Sequence, residues 1–154
     1  MLGPLIVDIS GPELLKHEAD YLRNPLVGGV ILFSRNYQSK QQLCQLTKDL
    51  RSLRDPELFI CVDHEGGVVQ RFREEFTTLP SVQSLGDLYQ NKPQDALQQA
   101  QELGNIMASE LKQCGVDVSF APVLDLHKDI SDVLAGGRAI AAEPTDVVAV
   151  ASAI

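Results

Sequence analysis

Four times in 154 residues a short apolar run gives way to a longer stretch of helical period, and this alternation constrains the fold more than any other feature. The runs are residues 5–9, 27–33, 58–62 and 116–123. The second holds Val30, Ile31, Leu32 and Phe33 in a row, the pattern of a strand covered on both faces. Strands separated by helices pair in parallel, because each helix returns the chain to the same end of the sheet. An α/β fold with a parallel sheet is expected.

The intervening stretches carry their own punctuation. Ser10, Pro12 and Glu13 predict a capped helix through Leu15, Ala19 and Leu22. Ser39, with Gln42 three residues on, predicts a second helix striped by Leu43, Leu46, Leu50 and Leu53. Ala96, Ala100, Leu103, Met107, Leu111 and Cys114 predict a long helix that Gly115 ends, and another starts at Pro144. Residues 63–86 read as a polar, glycine-bearing loop.

Four strand-then-helix units suit either an open doubly wound sheet or part of a barrel. A complete eight-unit barrel usually needs about 250 residues, so the length accommodates about half of one. The last helix stops at Ile154 and would leave a sheet edge uncovered. The chain therefore reads as part of a single domain, 1–154, truncated at its carboxyl end. Open edges of that kind are also a route to self-association.

Charge and cysteine usage narrow the partners and the compartment. A formal net charge of -8, with no cluster of Lys or Arg, argues against nucleic acid and against an anionic membrane surface. No apolar segment approaches the ~20 residues of a membrane helix. The apolar residues 5–7 are broken at Asp8 and follow no positive residue, so the amino terminus lacks the layout of a signal peptide. Cys44, Cys61 and Cys114 are far apart and form no Cys-x-x-Cys pair, which suits buried thiols in a reduced compartment. A cytoplasmic location is expected.

In parallel β/α folds the functional groups gather at the carboxyl ends of the strands, where the following loops vary over a rigid sheet. Those ends offer Asp8, then Ser34-Arg35-Asn36, then Asp63-His64-Glu65, then Asp125, His127 and Asp129. The densest group follows the third run, where three titratable side chains precede Gly66 and Gly67, residues that permit close backbone approach to a ligand. Asp63 can accept hydrogen bonds from paired hydroxyls, and Arg71 can donate through a planar fork. That combination suits a polyhydroxylated substrate. The structural reading of the same residues is that Asp63 and Glu65 cap the following turn and pair with Arg71.

Three segments, LVGGVILFSRNY at 26–37, DHEGGVVQRFR at 63–73 and SFAPVLD at 119–125, resemble in order the motifs of the family 3 glycoside hydrolases. They are most similar to the bacterial β-N-acetylglucosaminidases (β-hexosaminidases) of peptidoglycan recycling. The resemblance implies the amino-terminal half of a parallel (β/α)8 barrel, about four βα units. It implies an enzyme that removes terminal N-acetylglucosamine from muropeptides with retention of configuration, without metal or organic cofactor. Asp63, Arg71 and, after Gly136-Gly137, Arg138 match substrate-binding positions. The nucleophile, an aspartate, and the acid/base, a histidine, match no position of this chain and are expected beyond Ile154, so the chain by itself is expected to be inactive. His64 stands where the family usually has glutamine and Val68 where it has arginine, and residues 139–142 lack the family's aromatic and histidine.

Other readings of the same residues remain. Asp63, His64, Asp125, His127 and Asp129 offer hard oxygen and imidazole ligands to a metal-dependent hydrolase. The chain could bind sugar, or pair with another chain, without catalysis. Gly66-Gly67 or Gly136-Gly137 could form an anion nest, although neither fits the dinucleotide fingerprint or the P-loop spacing.

Overall fold

The computed structural model describes residues 3–128 and 134–154. In chain order its elements are β1 (Leu5–Val7), α1 (Lys16–Leu22), β2 (Val27–Leu32), α2 (Lys40–Arg51), β3 (Phe59–Val62), β4 (His64–Gly66), β5 (Val69–Gln70), α3 (Val82–Asn91), α4 (Pro93–Gln113), β6 (Val118–Ser119) and α5 (Pro144–Ala151). The main sheet has four strands in the order β1-β2-β3-β6, and every pair is parallel. This is the expected βα alternation. The closed barrel is not formed by these residues, and β1 and β6 are its unpaired edges.

The glycine pair at the start of the second apolar run lets β2 lie between its neighbours. A Cβ on Gly29 would sit 2.6 Å from the Phe59 carbonyl oxygen, so only glycine allows the register in which Gly29 faces Phe59 and Leu32 faces Val62. On one face of the sheet Val30, Leu32, Ile60 and Val62 pack against Leu43, Leu46 and Leu50 of α2. Each of these buried aliphatic side chains contributes roughly 1.5–3 kcal/mol. A second core joins α3, α4 and α5 through Val82, Leu85, Ala100, Val147 and Val150, with Ile140 added from the loop before α5.

Two helix ends follow the expected chemistry. The Ser39 side chain accepts the Gln42 amide at 3.1 Å, and Gln42 Oε1 accepts the amide of Gln38 at 2.8 Å. Helix α4 closes in a Schellman turn: Gly115, at φ +75°, donates to the Lys112 carbonyl, and Val116 donates to that of Leu111.

Other expectations change. Helix α1 starts at Lys16, not near Pro12, because buried Glu18 rather than Glu13 supplies the cap. Its carboxylate accepts from the Leu15 amide at 2.9 Å and from the Ser10 amide at 2.7 Å. Burial alone would raise the Glu18 pKa, but these bonds and one from the Ser10 hydroxyl outweigh it and lower the value. The stretch 63–86, expected as loop, contains the antiparallel β4-β5 hairpin and the first turn of α3. The fourth run forms a ladder only at Val118–Ser119, and Val118 and Phe120 are 39% and 45% exposed. Its polar residues hold it instead: Asp117 Oδ2 accepts the Ile60 amide at 2.8 Å, and Asp117 Oδ1 takes Arg51 at 2.6 Å.

Cys44, Cys61 and Cys114 are free thiols. Burial pushes Cys61 up to about 11 and Cys114 to about 12, so both are protonated near neutrality. No described helix is long and apolar enough to cross a membrane.

Candidate functional site

Strand β3 ends in the core at Val62, and the next three residues emerge at its carboxyl end with alternating orientation. Asp63 stays partly exposed, while His64 turns inward and is 1% exposed. The imidazole lies 5.5 Å from the Phe72 ring and 5.6 Å from the Phe76 ring, and its Nδ1 has no hydrogen-bond partner. Burial pushes its pKa down to about 4, so it is neutral in this aromatic pocket. Ser119 of β6 fixes the same residue by its backbone, accepting the His64 amide at 3.0 Å and donating to the His64 carbonyl at 3.1 Å.

The hairpin that follows brings Arg71 back to Asp63. Gly66 (φ +93°) and Gly67 (φ +55°) make the turn, and a Cβ on Gly66 would meet the Pro80 carbonyl oxygen at 2.4 Å. Buried Gln70 pins the segment after it, donating to the Phe72 and Thr77 carbonyls at 3.0 Å and 2.9 Å and accepting the Leu79 amide at 2.9 Å. Arg71 Nη2 then reaches Asp63 Oδ2 at 3.2 Å, with both side chains a little under a third exposed. The Arg71 guanidinium also lies 5.5 Å from the centroid of the Phe33 ring. Arg35 stands 4.6 Å from that ring, donates through Nε to the Ile9 carbonyl at 3.1 Å and pairs with Asp8. Phe33 thus links the rim of β1 and β2 to that of β3.

Arg138 arrives from a distant turn. Gly136 and Gly137 have φ of +77° and +79°, and a Cβ on Gly136 would lie 2.7 Å from the Val68 side chain. The Gln83 amide donates to the Gly137 carbonyl at 3.2 Å, which ties this turn to the start of α3. Arg138 Nε meets Glu65 Oε2 at 2.9 Å and Nη2 meets Glu65 Oε1 at 2.7 Å, a bidentate pair. The bonds to Glu65 raise the Arg138 pKa despite desolvation, and Asp63 and Asp125 add to the effect.

The family resemblance grouped Asp63, Arg71 and Arg138 as substrate-binding positions, and in the structure Asp63 pairs with Arg71 and lies near enough to Arg138 to help raise its pKa. The Asp63–Arg71 pair is the ion pair that the structural reading expected. Glu65, expected beside Arg71, belongs to Arg138. The metal reading fares differently: His64 is turned away from Asp63 into the core, Asp125 and His127 are exposed on the loop after β6, and Asp129 lies outside the described residues. Among the described residues no three His, Cys, Asp or Glu side chains are grouped closely enough to hold a metal ion. The Gly67 amide donates to the Leu79 carbonyl at 3.0 Å, which withdraws it from an anion nest. Sequence reasoning missed Ser119 and Phe33 as parts of the site. Both fall in recognised motifs, but an apolar run and a lone serine gave no sign of which side chains they would touch.

The rim therefore presents the Asp63 carboxylate and the Arg71 and Arg138 guanidinium groups, which accept from and donate to hydroxyls in fixed directions. The model of the Glycosyl hydrolase family 3 N terminal domain matches residues 6–154. A β-hexosaminidase of Bordetella avium (strain 197N) is 49% identical over 153 residues, covering 99% of this chain and 43% of the relative. The crystal structure of native NagZ from Neisseria gonorrhoeae superposes with a TM-score of 0.95 at 43% identity, covering 99% of this chain and 44% of that one. The same protein in complex with N-trifluoroacetyl-D-glucosamine gives the same TM-score and identity, over 99% and 45%. The chain thus spans less than half the length of the relatives it matches.

Proposed function

The chain belongs to glycosyl hydrolase family 3, and we propose that it forms one sugar-binding wall of a β-N-acetylhexosaminidase acting on N-acetylglucosamine-containing muropeptides of peptidoglycan. The observation that carries this is the Asp63–Arg71 pair at 3.2 Å on the carboxyl rim of a parallel sheet, on the side where Arg138 also arrives. Asp63 accepts from sugar hydroxyls while Arg71 and Arg138 donate, and Phe33 and Glu65 hold the two guanidinium planes in place.

A retaining mechanism needs a carboxylate that attacks the anomeric carbon and a second group that protonates the leaving oxygen and later activates water. We assign neither role to residues 1–154. Asp63 is committed to Arg71, and Glu65 is closed off by Arg138. The chain contributes binding and orientation, within one barrel domain of which it is the amino-terminal part. Half-exposed Leu5 and Ile6 on the β1 edge, with Val118 and Phe120 on the β6 edge, support pairing of these edges with further strands, from this chain's own copies or from another segment. The free thiols support a cytoplasmic setting.

Titration of the 154-residue chain with N-acetylglucosamine, followed by NMR shifts of backbone amides, tests this reading. Saturable shifts centred on residues 63–71 and 136–138 are expected, with no turnover of a chromogenic N-acetylglucosaminide. Absence of binding overturns the assignment of the wall, and turnover by the chain alone overturns the assignment of the chemistry elsewhere.

A further inference from the structure

Glu65 is the carboxylate of the rim that solvent scarcely reaches. Its side chain is 4% exposed, and each of its oxygens accepts a hydrogen bond from Arg138. A carboxylate so enclosed cannot attack an anomeric carbon, and it has no face to offer a glycosidic oxygen or a sugar hydroxyl. Yet a buried carboxylate is retained at considerable desolvation cost, which calls for a partner that uses it.

We propose that Glu65 is a positioning residue, which fixes the guanidinium plane of Arg138 against the bound sugar without itself touching the sugar. This rests on the sugar-binding reading above. The pair spans 73 residues of sequence and joins β4 to a turn that has left-handed backbone at both Gly136 and Gly137. Bonding through Nε and Nη2 together fixes the orientation of the fork as well as its distance, which a single contact would not do. Glu65 is itself fixed, because the Ser119 hydroxyl holds both backbone groups of the residue before it. Orientation is thereby passed from β6 through the His64 backbone to Glu65 and on to Arg138.

The experiment uses the full chain as wild type, Glu65→Gln, Glu65→Asp, Arg138→Ala and the double variant Glu65→Gln/Arg138→Ala. Two readouts are taken: the Arg138 Nε–Hε resonance without ligand, and the dissociation constant for N-acetylglucosamine by NMR titration. Amide-spectrum dispersion shows that each variant is folded. Glu65→Gln is expected to shift the Arg138 Nε–Hε signal and speed its exchange, and to weaken sugar binding about tenfold. Glu65→Asp, which keeps the charge but is a methylene too short for both bonds, should fall between. The double variant should bind no more weakly than Arg138→Ala, since a residue acting only through Arg138 adds nothing once Arg138 is gone.

Unchanged sugar affinity in a folded Glu65→Gln or Glu65→Asp chain overturns the proposal alone, as does multiplication of the two single effects in the double variant. Failure of the wild type to bind overturns the sugar-binding reading and this inference with it.

Discussion

Ser119 grips the backbone of His64 from both sides, its hydroxyl accepting the amide at 3.0 Å and donating to the carbonyl at 3.1 Å. One small side chain on β6 thus fixes the residue between the two carboxylates of the rim. Ser119→Ala leaves a part-buried amide and carbonyl without this partner and is expected to cost about 1–3 kcal/mol. Urea unfolding should show a lower midpoint with an unchanged slope. A midpoint equal to that of the wild type would mean that the clamp contributes nothing.

His64 makes stability depend on pH. Its folded pKa, about 4, lies below the ordinary value of 6.5 because the ring is buried. Between these values the unfolded chain binds more protons than the folded one, so stability rises with pH across that window. The contribution is complete above pH 6.5, and on the order of 3 kcal/mol of it is lost as the pH falls to 4. In His64→Gln the unfolding free energy should be flatter between pH 6.5 and 4. An equally steep slope in the variant would assign it to other groups.

Asp63→Ala should weaken N-acetylglucosamine binding about tenfold or more, because it removes an acceptor and frees Arg71 from its 3.2 Å contact. Thermal stability should change little, since this pair is partly exposed and surface pairs contribute about 0–1 kcal/mol. Undiminished affinity would remove Asp63 from the site.

Gly136→Ala introduces two faults: a φ of +77° that disfavours a side chain, and a Cβ 2.7 Å from the Val68 Cγ2 methyl. The turn must shift, which is expected to cost about 1–3 kcal/mol and to displace Arg138. The Arg138 Nε–Hε resonance should move, and Val68→Ala should restore part of its position by removing the clash. No movement in Gly136→Ala would show that the turn does not set the place of Arg138.

The sequence by itself determined the four strands of the main sheet, the helices α2, α4 and α5, and their order. Strand-length apolar runs, the Leu43 to Leu50 stripe and the caps at Ser39 and Gly115 act within a few residues, and short-range sterics and hydrogen bonds settle them. It also made the Asp63–Arg71 pair legible, because the two residues are eight apart on one turn. The expectations of a barrel and of a substrate-binding role for Arg138 come from motif resemblance.

Only the tertiary structure decided the rest. Glu18 in place of Glu13 starts α1, Gln70 draws residues 63–79 into a hairpin with a pinned return, and His64 turns its imidazole into the aromatic core while its flanking carboxylates face the rim. Glu65 and Arg138 meet across 73 residues. His64 is placed by aromatic packing, its Nδ1 without a partner. For Glu18, Gln70 and Glu65 the physical reason is that a buried polar group must find its partner in space, and local pattern carries no information about which distant residue folding will bring within about 3 Å.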